Sequence, residues 1–118
     1  MTYNPEYAAF VEGRCKEGQA IKNSLSPDQA HLLHMALGVA GEAGEIVDAI
    51  KKSVIYQKPL DINNLKEEIG DTLFYLQGIC NTIGTTLARC QSDNIEKLTA
   101  RYHTGSYSDK QAQERADK

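Results

Sequence analysis

Tryptophan is absent from the 118 residues, and only 6 tyrosines and 2 phenylalanines supply aromatic rings. A core must therefore come mainly from aliphatic side chains, and the 41% hydrophobic content is enough for one modest domain. Alternating apolar and polar runs of the strand type are missing, while Ala, Leu, Ile, Glu, Lys and Gln are plentiful. That balance predicts an all-α fold and argues against a sheet protein. Cysteine is scarce and scattered: Cys15, Cys80 and Cys90 form no Cys-x-x-Cys pair. No disulfide framework is implied, and the three read as reduced thiols. Positive charge is in deficit, with 13 Lys and Arg against 16 Asp and Glu and a net charge of -3. Such a surface excludes nucleic acid and anionic membrane as partners, and a polyanionic ligand would need metal ions and a few local cations. No basic flank leads into an apolar run, and no segment approaches the length of a membrane span, so a cytoplasmic protein is expected.

Helix starts and stops divide the chain. Asn4-Pro5-Glu6 has a cap, a first-turn proline and an acid at the positive end of the dipole, predicting a first helix to about Lys22. Ser26-Pro27-Asp28-Gln29 is a capping box that opens the longest helix, running to about Lys52. Pro59 interrupts the pattern, and Asp61 or Asn63 caps a third helix from about Asn64 to Ile83, closed by Gly84. Thr85 or Thr86 caps a fourth, ending near Tyr102. The expected organisation is a four-helix, bundle-like domain over residues 1–102 and a polar C-terminal tail over 103–118. That tail has room for one short helix from Ser108 or Asp109. Tyr3, Tyr7 and Phe10 read as the packing face of the first helix.

The chemistry lies in two carboxylate pairs, Glu42 and Glu45 in Gly-Glu-Ala-Gly-Glu and Glu68 and Asp71 in Glu-Glu-Ile-Gly-Asp. A spacing of three puts each pair on one helix face. Leu32, Met35, Val39, Ile46 and Ile50 mark the apolar stripe of the second helix, with Glu42 and Glu45 on its edge. Leu65, Ile69, Leu73, Leu76 and Cys80 do the same for the third, with Glu68, Asp71 and Tyr75 on its edge. Packed as antiparallel neighbours, the two helices bring four acids together at the border of the core. Two like charges about 5 Å apart repel by roughly 3 kcal/mol at an effective dielectric of 20, so a cation should sit between them. All-oxygen ligands without a His or Cys cluster select Mg²⁺, with Mn²⁺ as a substitute, over zinc. Gly38, Gly41 and Gly44 weaken the same helix by about 1 kcal/mol each relative to Ala, which points to close approach by a ligand or another helix. Asn94, Lys97 and Arg101 lie close together on the fourth helix, beside its apolar stripe.

With these blocks in place the chain resembles the MazG-like all-α nucleoside triphosphate pyrophosphohydrolases. Glu-x-x-Glu, a spacer and Glu-x-x-Asp match Glu42, Glu45, Glu68 and Asp71. The likeness extends over Leu37-Gly-Val-Ala-Gly-Glu, Lys51-Lys52, Glu67 to Leu76 and Asn94 to Tyr102. Two departures stand out: Phe74 occupies a position where the family often has Trp, and the segment after Tyr102 differs from the family's Pro-x-Gly-Phe. The resemblance implies a homo-oligomer, dimer or tetramer, acting on a nucleoside triphosphate, deoxy or non-standard. It would cleave the α–β phosphate bond to give monophosphate and pyrophosphate and so clear unwanted nucleotides. It implies Mg²⁺ on Glu42, Glu45, Glu68 and Asp71, and either Glu42 or Glu45 as the base that takes a proton from the attacking water. Lys97 and Arg101, with Asn94, would hold phosphates, and Tyr75 would contact sugar or base. The same motif is compatible with an all-α dUTPase or a phosphoribosyl-ATP pyrophosphohydrolase. A protein of another kind, a nucleotide-sensing or protein-interaction module without turnover, would keep the fold but needs no complete acid set.

Overall fold

A computed structural model describes residues 4–118, and Tyr3 lies outside the described residues. The described chain is all-α, with six helices: α1 (Pro5–Glu12), α2 (Gly18–Ser24), α3 (Pro27–Tyr56), α4 (Ile62–Ile83), α5 (Leu87–Arg101) and α6 (Asp109–Glu114). Among the described residues there is no strand, and no helix is long and apolar enough to cross a membrane. The chain divides into two units, Met1–His31 and Leu32–Lys118.

In the first unit the expected single helix is two. Asn4 caps α1 by accepting from the Tyr7 amide at 3.0 Å, but the helix stops at Glu12, where Gly13 forms the C-cap. The following Arg-Cys-Lys-Glu stretch carries no apolar stripe to sustain another turn, so the chain breaks before restarting at Gly18. Nor are Tyr7 and Phe10 packed: both are exposed. The Arg14 guanidinium covers the Phe10 ring at 3.6 Å, a cation–π contact.

From Ser26 onward the helices follow their caps closely. The capping box before α3 closes in both directions, the Ser26 amide donating to Gln29 Oε1 at 2.9 Å and the Gln29 amide to Ser26 Oγ at 3.1 Å. Helix α3 runs one turn beyond Lys52, to Tyr56. It ends where Gln57 turns left-handed at φ 53° and Ser53 Oγ donates to the Lys58 carbonyl at 2.8 Å. Of the two proposed caps of α4, Asp61 is the one used, accepting from the Asn64 amide at 3.0 Å. Gly84, at φ 77°, closes the helix in the left-handed form that glycine adopts without strain. Thr86 caps α5 and Ser108 caps α6. The short helix allowed for in the tail is therefore present.

Burial within the second unit is shallow. Met35 on α3 and Cys80 on α4 are the buried apolar residues, while Leu32, Val39, Ile46, Leu76 and Ile79 are half-buried. The outer edges of both stripes, Val47 and Ile50 on α3 and Ile69 and Leu73 on α4, stay exposed. Cys80 is a free thiol whose pKa burial pushes up, with Cys90 adding to the shift.

At one glycine of α3 a side chain of α4 lies against the helix backbone. A Cβ built on Gly38 would clash with the Tyr75 ring, so only a residue without a side chain lets the ring rest on the α3 backbone. The same construction on Gly41 or Gly44 meets nothing within 4 Å, so helix contact explains only the first of the three glycines. Gly38→Ala should push the Tyr75 ring off α3 and destabilise the protein by about 1–3 kcal/mol, the usual range for overpacking. Gly41→Ala and Gly44→Ala should instead be neutral or stabilising. Urea midpoints of the three variants check the contrast.

Candidate metal centre

The register that sets Gly38 against Tyr75 also sets Glu42 against Glu68 and Asp71. Moving one turn down α3 from Gly38 reaches Glu42, and moving one turn up α4 from Tyr75 reaches Asp71. The helices are thus antiparallel here, and the i,i+3 spacing turns Glu68 to the same point. One carboxylate oxygen from each of Glu42, Glu68 and Asp71 lies within 4.8 Å of the other two. Glu42 and Glu68 are half-buried and Asp71 is exposed. No lysine or arginine pairs with any of the three among the described residues.

Glu68 records the resulting strain. The Glu42 carboxylate within hydrogen-bonding reach, partial burial and the charges of Glu42 and Asp71 push the Glu68 carboxyl above the usual range. The donor set fits a hard divalent cation. Oxygens bound to one Mg²⁺ at about 2.1 Å stand no more than roughly 4.2 Å apart, close to the spacing already present. A cation would also remove the repulsion that the protein itself leaves uncompensated.

Glu45 is not part of this trio. It is exposed and lies one turn further along α3, where it lines a polar pocket of about 360 Å³ with Asp48, Lys52, Lys58, Asp61 and Asn64. Lys52 pairs there with Asp48 at 2.9 Å. On the other side of the trio, Glu42 and Asp71 line a recess of about 340 Å³ with Phe74 and Tyr75. Phe74 stands edge-on to Tyr75, with ring centroids 5.3 Å apart, and His34 approaches Tyr75 edge-on at 6.4 Å. The exposed Phe74 ring and the half-buried Tyr75 ring form an aromatic wall beside the carboxylate cluster. Phe74 belongs to that wall, and sequence reasoning noted it only as a family departure. Spacing gave no signal for it, since consecutive residues on a helix point about 100° apart.

The α5 residues are spread over different surroundings. Asn94 lines a groove of about 430 Å³ with Ile95, Leu98, Tyr102 and Tyr107. Lys97 is exposed. Arg101 is not open to solvent in the same way, because its guanidinium is engaged by Asp117. The Nε donates to one carboxylate oxygen at 2.9 Å and a terminal nitrogen donates to the other at 3.2 Å. The side chains of Arg101 and Asp117 are 16% and 3% exposed. The pair holds the Asp117 carboxyl down at about 2, so its contribution to docking the segment is in place above the ordinary carboxylate range and fades as pH falls toward 2. Asp117 was not among the residues picked out from the sequence, and nothing in the local pattern of a polar tail marks one acid over another.

With the fold and this geometry established, comparison with known proteins gives the class. The MazG nucleotide pyrophosphohydrolase domain matches residues 30–105, so the chain belongs to the MazG nucleotide pyrophosphohydrolase family. It is similar to the Gene 37 protein of Mycobacterium phage L5, with 32% identity over 80 residues, covering 63% of this chain and 68% of that protein. No solved structure gives a significant match.

Glu68 supplies a test of the centre that needs no substrate. Without divalent metal the folded state disfavours the ionised Glu68, so protonation stabilises it. Stability of the metal-free protein should rise as pH falls from neutral into the raised Glu68 range. Glu68→Gln should raise the melting temperature in chelator for the same reason. Adding Mg²⁺ or Mn²⁺ should raise the melting temperature of the unsubstituted protein and leave Glu68→Gln almost unmoved. Thermal scans with and without chelator across pH 5–8 read both effects.

Proposed function

We propose that the protein is a divalent-metal-dependent nucleoside triphosphate pyrophosphohydrolase that cleaves the α–β phosphate bond and releases nucleoside monophosphate and pyrophosphate. The observation that carries this reading is the convergence of Glu42, Glu68 and Asp71 between two antiparallel helices in a chain of the MazG family. In this reading the three carboxylates hold Mg²⁺, or Mn²⁺ in its place, which when bound neutralises phosphate charge and makes a water more acidic. Glu45 is the nearby acid outside the trio, and it accepts the proton of the attacking water. The Phe74 and Tyr75 rings receive the nucleoside next to the ion site, with Gly38 fixing the position of the second ring. Lys97, Asn94 and Arg101 on α5 receive phosphate oxygens.

Two measurements test the reaction. Asp71→Asn removes one charge with little change of shape, and it should nearly abolish turnover while leaving the helical signal unchanged. Hydrolysis in ¹⁸O-labelled water should place the label in the monophosphate, reporting attack on the α phosphorus. Label in orthophosphate with a diphosphate co-product would mean a different reaction. A panel of ordinary and modified deoxy- and ribonucleotides, run alongside, separates a broad pyrophosphohydrolase from a dUTPase or a phosphoribosyl-ATP hydrolase. Binding without turnover across the whole panel would favour a nucleotide-sensing module.

The active form in this reading is a homo-oligomer. Val47, Ile50, Val54 and Ile55 form an exposed apolar surface on α3, and burial in the second unit is too shallow to leave such a face in water. A second copy of the chain supplies the same kind of face by symmetry. Light scattering should return a dimer or tetramer, and Val54→Glu should shift the mass toward one chain. A monomeric mass for the unsubstituted protein at micromolar concentration would remove this element.

A further inference from the structure

The segment after α5 is built to deliver one carboxylate. Ser108 caps α6, Gln111 is tied to Thr104 at 3.1 Å, and Arg115 turns the chain left-handed at φ 51°. A tight turn then follows, closed by the Lys118 amide on the Arg115 carbonyl at 2.9 Å. At its apex the Asp117 side chain is 3% exposed and faces two guanidiniums. Arg101 grips it with two parallel hydrogen bonds, and a terminal nitrogen of Arg115 lies 3.9 Å from one of its oxygens. Arg115 also has a buried Nε with no hydrogen-bond partner. Two cations around one carboxylate leave the cluster one positive charge in excess, with a donor unused.

The two-pronged grip of arginine on a carboxylate has the same geometry as its grip on a phosphate. We infer that Arg101 and Arg115 form an oxyanion site for a phosphate or pyrophosphate group, and that Asp117 holds this site closed until the oxyanion displaces it. The inference rests on the reading of Arg101 as a phosphate-binding residue and adds Arg115 and the Asp117 exchange to it. A phosphate group carries more negative charge and more acceptor oxygens than a carboxylate, so it can satisfy Arg101 and use the free Arg115 donor as well. Displacement frees the turn around Asp117, and α6, at six residues, is too short to persist on its own. Ligand entry and undocking of residues 109–118 are therefore one event. The step is an exchange of ion pairs, with no covalent bond formed or broken.

Hydrogen exchange on the full-length chain tests this without a variant. Saturating inorganic pyrophosphate, with and without Mg²⁺, should speed amide exchange over residues 109–118 about tenfold or more and leave the interiors of α3 and α4 unchanged. No pyrophosphate binding, or binding with unchanged or slower exchange in this segment, would overturn the inference and make the pair a fixed structural clamp. Asp117→Asn weakens the competitor and keeps its shape, so it should tighten pyrophosphate binding about tenfold, the scale of one charge-assisted contact. Arg115→Gln should weaken binding, and a reversed sign in either variant counts against the exchange. Pyrophosphate that undocks the segment of a protein unable to hydrolyse triphosphates would sink the proposed reaction alone. Turnover with a segment that never undocks would sink the exchange alone.

Discussion

Repulsion among Glu42, Glu68 and Asp71 is the constraint around which the second unit is organised. Three like charges within 4.8 Å, two of them half-buried, are unfavourable for the bare protein, and the shift of Glu68 registers that cost. A protein selected for stability alone would place a lysine among them or turn one acid outward. Lys51 and Lys52 are available on the same helix, yet Lys52 is spent on Asp48 at 2.9 Å, away from the trio. No cation of the protein neutralises the acids, which is the ground on which the proposed function gives them a divalent metal.

Charge pairing is handled differently at the far end of the unit. Arg101 and Asp117 satisfy each other almost completely out of solvent, and the carboxyl is correspondingly acidic. The unit thus contains one cluster with too much negative charge and another with a slight excess of positive charge. A nucleoside triphosphate with its metal has both complements, cation and oxyanion, in one molecule.

Most of the fold was legible because it is written in caps and stops. Ser26 with Gln29, Asp61, Gly84 and Thr86 each do in three dimensions what their residue types predict locally. The expected continuous first helix is two because the start at Pro5 is marked by residue type, whereas the stop at Gly13 follows from the lack of an apolar stripe over the next turn. The acid trio was legible from the i,i+3 spacing on two amphipathic helices. The separation of Glu45 from it was not, since spacing fixes a face and leaves open which turn of that face meets the neighbouring helix. Asp117 was illegible for a deeper reason. Its partner is 16 residues away, and the contact depends on a left-handed turn at Arg115, a residue type that seldom announces one.

The contact between Gly38 and Tyr75 has a consequence for how the two central helices hold their alignment. Leu37 and Val39 stand on either side of Gly38 in the sequence, so the ring is seated at a glycine between two larger residues. Sliding α3 by one residue would drive a branched side chain into the aromatic face and would at the same time swing Glu42 about 100° away from Glu68 and Asp71. A missing Cβ therefore acts as an index mark for the whole helix pair, and the spacing of the carboxylates inherits its accuracy from an atom that is not there.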